Sequence, residues 1–244
     1  MLWVTTIDPR ARVLLALLFS LVVVSLKVLP LLVAALALAL FILLGSGLAW
    51  RSTLKRMLAM DGFILLMLVM LPFTVAGEPW FNIAGLTATW QGLWRALEIA
   101  LKANAIILML LALVGSMETV TLGHALGKLR VAKNLVHLLL FTVRYIEVLK
   151  EEYQRLRQAM QARAFRPGNN WHTYRSFGYL FGMLLVRAME RSERVMEAMQ
   201  CRGFTGQLPM LVQLRMAFLD WVFVAFMLLS LGGLMYLEIY RVVI

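Results

Sequence analysis

Five stretches of the chain are apolar over lengths suited to a bilayer. Val13 to Leu29 and Leu31 to Leu48 come first, with Lys27 and Pro30 at their junction. Proline removes a helical hydrogen bond and disfavours helix at the residue before it, so the pair reads as a tight helical hairpin. Each arm holds roughly 17 residues, about 26 Å at 1.5 Å per residue, just enough to cross a hydrocarbon core. A third span is predicted from about Gly62 to Gly77, with Pro72 as a kink. A fourth runs from about Ala96 to Met117 and a fifth from about Met216 to Tyr236.

Two kinds of loop separate these spans. Arg10 and Arg12 precede the first, and Arg51, Lys55 and Arg56 follow the second. The stretch Glu78 to Gln91 has no Lys or Arg but carries Trp80, Phe81 and Trp90. Basic loops face the cytoplasm and aromatic residues collect at membrane interfaces. The ends of the first hairpin are therefore expected inside and the Glu78 to Gln91 loop outside. Parity places the C-terminus outside. The first apolar run leads into a second one and not into a small-residue cleavage site, so no cleavable signal is expected.

Glu118 to Gly206 has a different pattern, helical and amphipathic. Leu149, Tyr153, Leu156 and Met160 recur at spacings of a helical face, and so do Phe177, Phe181, Leu184 and Ala188. Glu151 stands four residues before Arg155, and Glu190 four before Arg194, a spacing that supports helices. Pro167-Gly168 is expected to end the first helix, and Gly203 to supply the left-handed stop of the second. Two long helices of roughly 25–30 residues, joined at Arg166 to Asn170, are predicted to pack on each other through these stripes. The fold class is all-α: a polytopic membrane protein with about five transmembrane helices and two long amphipathic cytoplasmic helices. The domains are 1–117 with four spans, 118–206 with the long helices, and 207–244 with the last span.

Composition agrees. Of 244 residues, 62% are hydrophobic and 15% charged, and the mean hydropathy is +0.82, whereas soluble domains carry about 45–50% apolar and about 25% charged residues. The net charge of +11 fits cytoplasmic loops and anionic lipid. No recognition motif accompanies it, so nucleic acid is not an expected partner. Cys201 is the one cysteine, which excludes an internal disulfide framework.

The ends of the two long helices repeat each other. Arg155 to Phe165 aligns with Arg194 to Phe204, with identity at Arg155/Arg194, Ala159/Ala198, Met160/Met199, Gln161/Gln200, Arg163/Arg202 and Phe165/Phe204. A chain that presents the same Arg-x-Phe tip twice suits a dimeric cytoplasmic motor.

On these residues the chain resembles the transmembrane T component of energy-coupling factor transporters, closest to the cobalt- and nickel-transport CbiQ-type subgroup. The resemblance covers most of the chain. It includes Asp8-Pro9-Arg10, Arg144-Tyr145-Ile146, and above all Ala162-Arg163-Ala164 and Cys201-Arg202-Gly203-Phe204. Ala164 stands where the family has glycine, which bears on the turn after the first motif, and Cys201 where it has alanine. The resemblance implies a coupling subunit of an ATP-driven importer for a divalent metal ion, without catalytic residues. Ala162, Arg163, Ala164 and Phe165, and Cys201, Arg202, Gly203 and Phe204, would dock on two cytoplasmic ATPase subunits. ATP would be bound by those partners and no cofactor by this chain. The stripes would carry motion to a separate substrate-binding membrane protein, with or without a small accessory membrane subunit, in a bacterial inner membrane.

The remaining chemistry is sparse. Gly123 to Leu129 resembles a phosphate-binding loop but has three residues between its glycines and no Ser or Thr after Lys128. His124, His137 and His172 are too scattered for a metal-ligand pair, and the sixteen methionines read as packing residues. Asp61, Glu98, Glu118 and Asp220 lie near predicted span ends, which argues against proton coupling. Asp8, Asp61 and Asp220 are too dispersed for a magnesium-dependent membrane transferase. Three alternatives stay open: a T component serving a vitamin carrier, a two-fold permease of an ATP-driven transporter, and a membrane-bound transferase.

Overall fold

The computed structural model describes residues 4–47, 50–75, 79–83, 86–204 and 216–243. A short helical turn, Val4–Thr6, precedes α1 (Pro9–Ser25), α2 (Leu29–Ser46) and α3 (Trp50–Thr74). An antiparallel hairpin of β1 (Pro79–Ile83) and β2 (Leu86–Thr89) follows, then α4 (Trp90–Leu113), α5 (Thr119–Lys128), α6 (Lys133–Ala162), α7 (Trp171–Cys201) and α8 (Phe218–Val243). The chain divides into two compact units, residues 1–125 with 214–244, and residues 126–213.

In the first unit α1 starts on Asp8, whose side chain accepts the Arg10 N–H at 2.8 Å, with Pro9 in the first turn. Proline suits that position because its missing N–H would have no helical partner there. Val28 is extended, and Pro30 sits in the first turn of α2, so the predicted hairpin forms with its turn at Leu26–Val28. Phe19 and Val23 of α1, Leu32, Ala35, Ala39 and Ile42 of α2, Ala105, Leu108, Met109 and Ala112 of α4, and Met227 and Leu231 of α8 make the core. The alanines let the backbones of α2 and α4 come close. The outward positions are equally apolar: Leu14, Leu17, Leu21 and Val24 of α1 are all exposed. Apolar surface of this extent on both sides of a helix fits a lipid surround.

Three helices are long and apolar enough to cross a bilayer among the described residues: Leu29–Ser46, Trp90–Leu113 and Phe218–Arg241, with mean hydropathies of 2.6, 2.0 and 2.0. The other two expected spans are helices as well. α1 has 17 residues, and α3 opens on a cationic segment.

The third helix begins at Trp50, twelve residues before Gly62, so Arg51, Lys55 and Arg56 lie in its first turns and not in a loop. Nothing between Trp50 and Asp61 breaks a helix, and charge on a helix surface does not end it. Pro72 falls in the final turn of α3. The expected loop at Glu78 to Gln91 contains the hairpin, paired Phe81 with Ala88, Asn82 with Thr87, and Ile83 with Leu86. Its aromatic and β-branched residues favour strand. α4 begins at Trp90, capped by Thr89, which accepts the Gly92 N–H at 3.3 Å. The Thr89 hydroxyl donates to the carbonyls of Pro72 and Val75 at 3.2 and 2.7 Å. Gly92 is required there: a Cβ would fall 2.6 Å from Pro72 Cα.

Glu98 therefore lies about 12 Å into α4 at 1.5 Å per residue, not at a span end. It pairs with Lys102 at 2.6 Å, and Lys102 also donates to the Val24 carbonyl at 3.2 Å. Two acids of α8 reach back more than two hundred residues. Asp220 accepts the Asp8 N–H at 3.0 Å. Glu238, buried and unremarked in the sequence, accepts the Lys27 and Val28 N–H groups at 2.9 and 3.4 Å, serving donors of the turn that leads into α2.

Candidate functional site

The second unit contains the two long helices. α6 has 30 residues and α7 has 31, and the Ala162 end of α6 lies beside the start of α7. Both carry the repeated tip, and both end with the same hydrogen bonds. The Phe165 N–H donates to Met160 O at 3.1 Å, and the Ala164 N–H to Gln161 O at 2.9 Å. The Phe204 N–H donates to Met199 O at 3.0 Å, and the Gly203 N–H to Gln200 O at 2.9 Å. This six-to-one, five-to-two pair is the Schellman stop, which needs a left-handed residue just past the helix. Gly203 supplies it with φ +77°, as expected, and Ala164 supplies it with φ +60°. The alanine thus keeps the turn at a steric cost of about 1–2 kcal/mol relative to ordinary helix geometry. The first helix ends at Ala162, not at Pro167-Gly168, because this cap precedes the proline.

Each tip presents its arginine and the small residues around it. Ala162, Arg163 and Ala164 are exposed, and so are Cys201, Arg202 and Gly203. The phenylalanines are half-buried. Phe165 folds onto its own unit, its ring edge-on to Phe177 with centroids 6.0 Å apart and 6.3 Å from that of His172. It braces the first tip from within its own unit while staying partly exposed. Phe204 lines a cleft of about 600 Å³ between α6 and the far half of α7, together with Phe141, Tyr145, Leu149, Val195 and Met199.

The two stripes meet in part. Tyr153, Leu156 and Met160 are half-buried, and Tyr153 and Met160 share a smaller cavity with Phe165, Phe177 and Leu180. Leu184 and Ala188 are half-buried too. Phe181 is 62% exposed, and Leu180, 4% exposed, holds the inward place. The true stripe is Phe177, Leu180, Leu184 and Ala188. Leu149 stands in the open cleft, 39% exposed. Glu152 ties the helices through an ion pair with Arg187 and also meets Arg155 at 3.8 Å. The expected Glu151–Arg155 pair is present at 3.9 Å. Arg194 instead donates from Nε to the Glu190 backbone carbonyl at 3.2 Å. Leu180 and Glu152 are the contributors that sequence reasoning missed.

At 1.5 Å per residue, α7 separates Phe177, where the first tip rests, from Gly203 by about 39 Å. One continuous helix therefore keeps two equivalent caps far apart.

A sequence profile described as CbiQ, cobalt transport protein, matches residues 2–213 and so takes in both tips. The chain belongs to the CbiQ family. The family is that of a transporter's transmembrane component, and the apolar helices agree with a membrane protein. An energy-coupling factor transporter transmembrane protein, EcfT, of Thermosediminibacter oceani is 26% identical over 203 residues, covering 78% of this CbiQ-family chain and 77% of that relative. An uncharacterized protein of Methanocaldococcus jannaschii is 29% identical over 154 residues, covering 62% of the chain. The match spans 57% of that relative's length.

Proposed function

We propose that this chain is the coupling subunit of an energy-coupling factor importer for a divalent metal ion, cobalt or nickel. It crosses a bacterial inner membrane several times. Its second unit links two cytoplasmic ATPase subunits to a separate membrane protein that binds the ion. ATP belongs to the partners. Residues 1–117 and 207–244 serve as the membrane part and 118–206 as the coupling part.

The observation that carries this reading is the duplicated tip: a matching Arg-x-Phe end on one kind of cap, in two copies set apart by a long helix. Two copies of a partner subunit present two copies of one groove, and a single chain meets both only by repeating its own contact. Arg163 and Arg202 sit at helix C-terminal ends, where the dipole favours a cation. Each guanidinium can fork onto a partner carboxylate.

The test is the double variant Arg163→Ala with Arg202→Ala, co-purified with its partners in mild detergent and assayed for ATP-dependent cobalt uptake. The expected result is loss of the ATPase subunits and of uptake, with the membrane helices still folded. Normal recovery of the ATPases together with normal uptake would remove the proposal. Uptake of a vitamin in place of the metal would keep the coupling role and change the substrate.

A further inference from the structure

Between Glu152 and Glu190 the chain has six arginines and no acid. Within that interval the start of α7 is unusually aromatic on its outer side. Trp171 is 81% exposed, Tyr174 61% and Tyr179 65%. With Arg175 they fall on one face, about 140° wide at 3.6 residues per turn. Thr173 and Leu180, both buried, lie on the opposite side.

The polar atoms on this face are held in place. The Arg175 guanidinium lies 5.5 Å from the Tyr179 ring centroid, and its Nε donates to the Tyr179 hydroxyl at 2.9 Å. Arg175 as a whole is exposed. The Tyr174 hydroxyl donates to Asn169 Oδ1 at 2.9 Å, which fixes that ring against the turn. Arg166 is exposed in the same turn.

We infer that the turn and first three helical turns of α7, through Arg166, Trp171, Tyr174, Arg175 and Tyr179, form a seat for anionic lipid headgroups. Trp and Tyr rings are at home where apolar and wet regions meet. Arginine can lay its stem along that boundary while its charged end takes a phosphate. The absence of acids from Tyr153 to Met189 leaves nothing on this stretch to repel an anionic surface. Lipid is also the partner most constantly at hand, since the apolar helices of the same chain hold it at a high effective concentration. The seat does not depend on which ion is carried. Its consequence is that this end of α7 is tethered at the membrane surface.

The test uses the full chain with Cys201→Ser and Asn170→Cys, the new cysteine carrying a nitroxide. Asn170 makes no side-chain cap, so the label replaces nothing the seat uses. The protein is reconstituted in phosphatidylcholine vesicles with and without phosphatidylglycerol. Electron paramagnetic resonance then compares collisions with oxygen and with a water-soluble nickel chelate, against a control label at Gln158→Cys. The expected result is shielding from the chelate at 170 but not at 158, greater with phosphatidylglycerol. Arg166→Gln and Arg175→Gln should each lower the seated-to-free ratio roughly fivefold, at the energy of one cation near an anionic surface. A label at 170 as open to the chelate as that at 158 in both vesicle types would overturn the inference, as would arginine variants without effect. Shielding that appears only when the ATPase and substrate-binding subunits are added would assign the face to a protein instead.

Discussion

At the first tip the Phe165 ring is packed against Phe177, and Tyr153, Met160 and Leu180 line a cavity of only about 160 Å³ between the two helices. At the second tip the Phe204 ring lines a cleft of about 600 Å³. The backbones of the tips are the same and their surroundings are not. Near the turn, α6 and α7 share a narrow seam that buries Leu180. Farther along they part, joined across the opening by Glu152 and Arg187. Packed interfaces change between discrete arrangements and do not deform smoothly. The first tip is therefore braced by a ring contact beside a narrow gap, whereas the second borders a wider opening between α6 and α7.

The sharpest way to break this comparison is to empty the seam. Leu180→Ala should destabilise the second unit by about 2–5 kcal/mol, the range for truncating a buried leucine. Phe181→Ala, its exposed neighbour, should stay within about 0.5 kcal/mol. Hydrogen exchange across α6 and α7 measures both, and equal effects would mean that the seam is not where the structure puts it.

The phenylalanines come next. Phe165→Ala should cost about 1.5–3 kcal/mol, because it loses apolar burial and an edge-on aromatic pair. Phe204→Ala should cost about 1 kcal/mol or less in the chain without partners, since its ring faces a cleft. Protection of the turn at Arg166 to Asn170 should fall in the first variant and hold in the second.

The smallest effects concern the caps. Ala164→Gly relieves a left-handed alanine and should stabilise its cap by about 0.5–1 kcal/mol after the glycine's extra unfolded freedom is counted. Gly203→Ala should do the reverse by a similar amount. The readout is the exchange of the Phe165 and Phe204 amides, whose bonds to Met160 and Met199 close the two stops.

Much of this was legible in the sequence. Long apolar runs mark membrane helices whatever their neighbours, and the hairpin at Pro30 follows from proline chemistry. The tip repeat was plain in the residues, and its two caps form as one motif. Phe177 to Leu185 was the unreadable part. It is apolar at almost every position, so a stripe through Phe181 and one through Leu180 fit helical spacing equally well, and only α6 decides between them. The start of α3 was missed because cations were read as a loop, although a helix carries surface charge freely. Glu238 was missed because a carboxylate's partner two hundred residues away leaves no local trace. Ala164 shows the opposite: an unfavourable residue for the turn, held in it by the cap bonds and the Phe165 contact.

On the proposed function, the two arginine tips are equivalent anchors for two copies of one partner. The direct measurement is the affinity of the purified ATPase subunit for the full chain carrying Arg163→Ala alone and Arg202→Ala alone. Each should weaken binding at its own tip by about 2–5 kcal/mol, the cost of leaving a partner's charge buried and unpaired, and the two losses should be alike. A loss confined to one tip, or absent from both, would contradict the account.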